Sequence, residues 1–279
     1  MLECRAIKHY DYDKKQLLDG VGKLHIDHYE DVQCVKFPIN RFFQYMSVYV
    51  YFVDDLMIDT GPKHSKRRIG QFLVANNISK AAITHEHSDH CGTARWLVKK
   101  HDIVVYTNKA NTKRSYFSLR SIHTLAEQYP EKIECSHHTF LPIFTPGHTR
   151  DHTCLYEPNK GWLFTGDLYI TSNPTVSLWS ESLSKYIDSL KTVATLDFDT
   201  IFCAHQGVVR NGKQMILEKL HYLETIQSKA VELYEQGYSS RMIAKKLFPK
   251  KARLERLTFG AFSSLHLVRQ LIRAHNKHV

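Results

Sequence analysis

The segment Thr84-His85-Glu86-His87-Ser88-Asp89-His90 places three imidazoles and two carboxylates in seven residues. Neutral imidazole is the commonest protein ligand for a transition metal, and a carboxylate adds charge neutralisation. His85 and His87, two apart, can face the same side of an extended chain. The helical zinc-protease pattern, His-Glu-x-x-His, needs histidines four apart, so this segment points to a loop cage instead. Three further segments offer the same donor types: Thr145-Pro146-Gly147-His148-Thr149, Thr165-Gly166-Asp167 and Ala204-His205-Gln206-Gly207. In each, glycine lets backbone approach closely. His85, His87, Asp89, His90, His148, Asp167 and His205 are seven donors, too many for one four-coordinate zinc.

Strands that end where these donors begin are the expected scaffold. Val48, Val50 and Phe52, then Leu56 to Ile58, read as short strands separated by a hairpin turn at Asp54-Asp55. Helical spacing predicts a helix over 65–77, with Ile69, Phe72 and Leu73 inward. A strand over Ala81–Thr84 leads straight into the histidine cluster. Helix is expected at 92–100, strand at 103–106, and helix on either side of 120. Several strands follow over 132–168, joined at Pro146-Gly147 and Asn159-Lys160-Gly161; then come helix over 180–196 and strand over Thr200–Cys203. After His205 the pattern turns helical. One long helix runs from Met215 to Tyr234, with Leu217, Leu220, Leu223, Ile226 and Val231 as its expected buried face. Ser239 is placed to cap a short helix through Leu247, and a last helix is expected over Phe259–Ala274. A boundary near residue 210 divides the chain into a metal-hydrolase domain, 1–210, and a basic helical subdomain, 211–279.

With 43% hydrophobic and 24% charged residues, the composition is that of a soluble globular protein. No apolar run is long enough to span a membrane, and Met1-Leu2-Glu3-Cys4-Arg5 lacks a signal-peptide pattern, so a cytoplasmic location is expected. Six scattered cysteines without a close pair argue against a disulfide framework and for small buried side chains. The net charge of +10 is concentrated in the tail, since residues 241–279 carry ten Lys or Arg against the single acid Glu255. Any affinity for polyanions would therefore reside there.

Taken in order, Met57-Ile58-Asp59-Thr60-Gly61, His85-x-His87-x-Asp89-His90, His148, Asp167 and His205 resemble the five motifs of the metallo-β-lactamase superfamily. The flanks, Thr-Pro-Gly-His-Thr above all, are most similar to the hydroxyacylglutathione hydrolase (glyoxalase II) and small β-lactamase-like hydrolase branches. The resemblance implies an α+β fold, an αββα sandwich with a C-terminal helical extension. It also implies two divalent metal ions, zinc by ligand softness, with iron or manganese also compatible. His85, His87 and His148 would hold one ion, Asp89, His90 and His205 the other, and Asp167 would bridge. Asp59 would support the cage by hydrogen bonding. Catalysis would rest on Asp59, Asp89 and Asp167, through a hydroxide shared by the two ions.

The implied reaction is hydrolysis of an ester, thioester or lactone in a small molecule. The competing reading is a phosphodiesterase or endoribonuclease that holds RNA or nucleotides through the basic tail; a persulfide dioxygenase uses a similar donor set. A non-hydrolytic binding module is the third class, suggested by the helix start at Ser239. Tyr169, two residues past Asp167, is placed to reach a substrate carbonyl. No membrane partner is expected.

Overall fold

The computed structural model describes residues 24–40, 46–108 and 122–275. Its first sheet has seven strands in chain order: β1 (His25–Tyr29), β2 (Val32–Pro38), β3 (Ser47–Val53), β4 (Leu56–Ile58), β5 (Lys80–Ala82), β6 (Val104–Thr107) and β7 (Glu127–Gln128). Strands β1 to β4 pair antiparallel. From β4 to β7 the pairing is parallel, and the crossovers carry α1 (Lys66–Ala75) and α2 (Ala94–His101). A left-handed Asp54, φ 50°, makes the tight β3–β4 turn.

In the second sheet lie β8 (Ile133–Glu134), β9 (Thr139–Phe144), β10 (Thr153–Glu157) and β11 (Trp162–Gly166). After β12 (Ser177–Leu178) and α3 (Leu183–Ala194) come its remaining strands, β13 (Thr200–Cys203) and β14 (Gly207–Val209). Their spatial order is β14-β13-β11-β10-β9-β8, with β11 and β13 parallel across the α3 crossover. The chain finishes with α4 (Gly212–Glu235), α5 (Ser240–Leu247), α6 (Arg253–Leu257), β15 (Phe262–Ser263) and α7 (Ser264–His275).

The two-residue period of a strand builds the layers. From β3, Val48, Val50 and Phe52 pack outward among Ile69, Phe72 and Leu97 of the helices. The alternate residues Tyr49, Tyr51 and Val53 pack between the sheets against Phe140, Trp162, Phe164 and Phe202. A third cluster covers the far side of the second sheet, where Leu163 and Ile201 meet Leu190, Ile216, Leu223, Ile243 and Leu271. The result is an αββα sandwich whose C-terminal helices share a core with the second sheet. Each fully buried aliphatic or aromatic side chain contributes roughly 1.5–3 kcal/mol.

Two sequence expectations are corrected, and a third lies largely outside the described residues. The helix expected around 120 falls largely on residues outside those described, and beyond them a single 3₁₀ turn stands at Ile122–Thr124. The last helix begins at Ser264 rather than Phe259, because Phe262 and Ser263 pair with Leu178 and Ser177 instead. The buried face of α4 is Ile216, Lys219, Leu223, Ile226 and Ala230, while Leu217 is 42% exposed. The cap at Ser239 is present, with its Oγ accepting from the Met242 N–H at 3.4 Å. Cys34, Cys154 and Cys203 are buried, and all five described cysteines are free.

Candidate metal centre

Seven donors converge at one edge of the sandwich. His85, His87, Asp89 and His90 sit on the loop that leaves β5; His148 follows β9, Asp167 follows β11 and His205 follows β13. Donor atoms of His85, His87, His148 and Asp167 all lie within 4.8 Å of one another, as do those of Asp89, His90 and His205. Asp167 faces both groups. Its Oδ2 is 3.2 Å from His148 Nε2 and 3.8 Å from His85 Nε2. Its Oδ1 is 3.2 Å from His205 Nε2 and 3.4 Å from His90 Nε2.

In four of the five rings the far nitrogen is engaged from behind, which fixes ring orientation. Asp59 Oδ2 accepts from His90 Nδ1 at 2.7 Å. Ser47 O accepts from His205 Nδ1 at 2.7 Å, and Glu181 Oε1 from His148 Nδ1 at 2.7 Å. His85 Nδ1 lies 3.1 Å from Thr84 Oγ1, which in turn donates to Asp59. Asp59 also accepts the Thr84 N–H at 2.8 Å. It adopts a left-handed conformation, φ 58°, which a short polar side chain tolerates.

Two glycines allow the strand ends to crowd together. At Gly166, φ +47°, a Cβ would lie 2.8 Å from Thr84 Cβ and 2.9 Å from His152 Nε2. At Gly147 it would lie 2.5 Å from the backbone of Tyr186. No side chain fits in either place.

Burial, with His90 and His87 beside it, pushes His85 well below the usual imidazole range; burial and His148 lower His87 to about 4. Burial also opposes charge on His90 and His148. There, however, Asp167 and Asp59 raise His90 to about 9, and Asp167 and Glu181 raise His148 to about 10. Although burial favours its neutral acid, Asp167 is held well below the usual carboxylate range by His205, His90 and His148. The carboxylates thus favour positive charge in the middle of the cage, which a metal cation would supply in place of ring protons. His85 Nε2, His90 Nε2 and Asp167 Oδ1 are buried without a hydrogen-bond partner. Such atoms cost roughly 1–3 kcal/mol each unless something ligates them. The donor set therefore fits metal.

The sequence matches the family model described as Metallo-beta-lactamase superfamily over residues 45–205. The chain belongs to the metallo-beta-lactamase superfamily. It is a hydrolase of that superfamily. A hydroxyacylglutathione hydrolase of Bdellovibrio bacteriovorus is 29% identical over 191 residues, 66% of this chain and 70% of that one. The lactamase-like protein nscB of Trichophyton verrucosum is 27% identical over 55% of each chain. The matches therefore span between about half and 70% of the length of these relatives. A beta-lactamase domain protein from Burkholderia ambifaria has the same fold, with a TM-score of 0.65 at 16% identity, covering 95% of this chain and 93% of that one.

Within this metallo-beta-lactamase frame, several site residues escape sequence reasoning. His152 is buried; its Nε2 accepts the Asp167 N–H at 3.2 Å and its Nδ1 bonds Thr145 Oγ1 at 2.8 Å. Burial, then His148, lowers it to about 3. As a neutral ring it orients the peptide that carries Asp167. Lys219, 3% exposed, donates to Leu168 O at 2.9 Å and to Tyr186 Oη at 2.7 Å. Tyr186 in turn donates to the carbonyls of Asp167 and Leu168. Only the second histidine after Gly147 was a visible signal; Glu181 and Lys219 look like surface charges. Tyr169 is buried with its hydroxyl 3.2 Å from Ser172 Oγ, and it is Tyr186 that lines the cavity beside the cage. Cys91, next to His90, hydrogen-bonds Glu86 O, and burial raises its thiol to about 12, so it stands apart from the donors.

Proposed function

We propose that the protein is a binuclear metal hydrolase of small-molecule esters or thioesters. One observation carries the reading: the two oxygens of Asp167 face two separate groups of donors. In this reading His85, His87 and His148 hold one ion, and Asp89, His90 and His205 hold the other. Asp167 belongs to both, and zinc is the metal best matched to the histidine-rich set. When bound, such a pair supplies Lewis-acid activation of water and of the scissile carbonyl. The chain itself contributes orientation. Asp59, Glu181 and Ser47 fix the rings, while His152 and Tyr186 fix the Asp167 backbone. Asp89, which lines the cavity, is placed beside the reacting groups to hold a proton in transit. Residues 1–210 carry the cage, and 211–279 close the substrate side.

The small-molecule reading draws on the cavity beside the cage, about 670 Å³, a size usual for small ligands. Support also comes from the similarity to hydroxyacylglutathione hydrolases. Lys245, Lys246, Lys250 and Lys251 are exposed and stand outside the cavity lining, so the basic tail does not turn its charge toward the site. Among the described residues, no helix is long and apolar enough to cross a membrane.

The test is metal analysis of purified protein, followed by turnover of thioester, lactone, phosphodiester and persulfide substrates. About two ions per chain with thioester or ester hydrolysis is the expected result. Full activity with a single tightly held ion overturns the binuclear reading. Preference for the phosphodiester, or oxygen-dependent persulfide consumption, overturns the substrate class.

A further inference from the structure

The cavity is lined by two kinds of residue. The donors His87, Asp89, His148, Asp167 and His205 supply one part of its wall, and Val176, Leu183, Leu223, Leu254, Phe262 and Leu267 supply an apolar part. Three elements of the C-terminal segment meet there: Leu254 is on α6, Phe262 on β15 and Leu267 on α7. The short pairing of β15 with β12 ties this wall to the loop that carries Val176. The most basic stretch of the sequence therefore presents its carbon side chains to the site and its charges to water.

Two lysines reach the cavity lining, Lys219 and Lys36, and neither belongs to α6, β15 or α7. The Lys219 ammonium already donates to Leu168 O and Tyr186 Oη and lies 4.9 Å from the Tyr186 ring centroid. Lys36 lies over the ring of Tyr49 at 5.5 Å. A multiply charged ligand buried against the C-terminal wall would lose its hydration without gaining a charged partner there. Uncharged polar side chains also line the cavity: Ser47 from β3, Gln206 from the loop after β13, and Thr171, Asn173, Thr175 and Ser177 from the segment that leads into β12.

We propose that the apolar chamber under α6, β15 and α7 binds the uncharged, apolar acyl group of the substrate, and that its walls set acyl selectivity. The inference rests on the hydrolase reading above and extends it to a substrate class. The scissile carbonyl lies at the cage end, its acyl chain runs into the chamber, and the polar carrier or alcohol remains toward the mouth.

The experiment is kcat/KM for N-acetylcysteamine thioesters of acetate, butyrate, hexanoate and benzoate, using metal-loaded protein. Each buried methylene should raise kcat/KM about fourfold, so hexanoyl and benzoyl thioesters should far exceed acetyl. Leu254→Trp and Val176→Trp each narrow the chamber from a half-buried position on a different element. Both should lower the hexanoyl-to-acetyl ratio about tenfold or more, with metal content and circular dichroism checking the fold. A flat or falling chain-length profile in a protein that does hydrolyse thioesters overturns the chamber assignment and leaves the hydrolase reading standing. An unchanged ratio in both variants does the same. Failure to hydrolyse any thioester or ester overturns the hydrolase reading and this inference with it.

Discussion

The carboxylate of Glu181 accepts a hydrogen bond from His148 Nδ1 at 2.7 Å, which leaves Nε2 directed at Asp167 Oδ2 and His87 Nδ1. A carboxylate in this position fixes the tautomer of a ligating imidazole and raises its basicity. Glu181→Ala should therefore weaken metal affinity by roughly 10–100-fold, read by competition with a chelator of known affinity. Wild-type affinity in the variant would remove Glu181 from the metal site.

Asp167 and Asp59 separate two kinds of contribution. Asp167 faces both donor groups, whereas Asp59 acts through His90 and Thr84. Asp167→Ala should lose more activity and more metal than Asp59→Ala, whose loss should stay near 10–100-fold. Metal content and kcat measured side by side decide it; equal losses in the two variants contradict the division of roles.

The tail lysines give a third outcome. Replacing Lys245, Lys246, Lys250 and Lys251 together by Gln should leave small-substrate turnover within about twofold, because exposed charges contribute little to stability or to a distant apolar site. If RNA were the substrate, the same change should flatten the salt dependence of RNA binding by roughly 0.7–0.9 in log–log slope for each phosphate no longer neutralised. A steep wild-type slope that collapses in the variant would restore the nucleic-acid reading.

Lys219 sets a pH signature. Burial lowers its folded-state value from 10.5 to about 8. Below that, both folded and unfolded chains hold the proton, and the buried charge is a constant burden. Between about 8 and 10.5 the unfolded chain binds more protons than the folded one, so stability rises with pH. Relative to Lys219→Met, the wild type should gain on the order of 3 kcal/mol across that window, measured by urea denaturation at several pH values. A constant difference would show that the ammonium is stabilised to its ordinary degree.

How far the sequence could be read followed from how local each feature was. Strand β3 shows its alternation within seven residues, so both of its faces could be assigned from the chain alone. The loop after β5 carries four donors in six residues and announced a cage without any tertiary knowledge. Glu181 acts only because the fold brings it to His148, and nothing in its own neighbourhood signals this; His152 stands four residues past His148, but its role on Asp167 depends on the approach of β11. The helix expected from Phe259 lost its first turn to a pairing with Ser177 and Leu178, more than eighty residues away. In α4, Lys219 occupies the centre of the buried stripe. A charge at that position disguised the true face and made the neighbouring leucines look inward. The similarity to metallo-beta-lactamases supplied what local pattern could not, the pairing of His148, Asp167 and His205 with the β5 loop.

The donors come from both halves of the sandwich, four from the loop after β5 and three from the ends of β9, β11 and β13. An ion held between them is consequently a cross-link as well as a reagent. It ties positions such as His87 and His148, some sixty residues apart, and so removes loop-closure freedom that an unfolding chain would otherwise recover. With the ion bound, opening the two sheets would require breaking coordinate bonds first. Chelation should then act on the lifetime of the fold, with protease cleavage between the sheets quickening before any helix is lost.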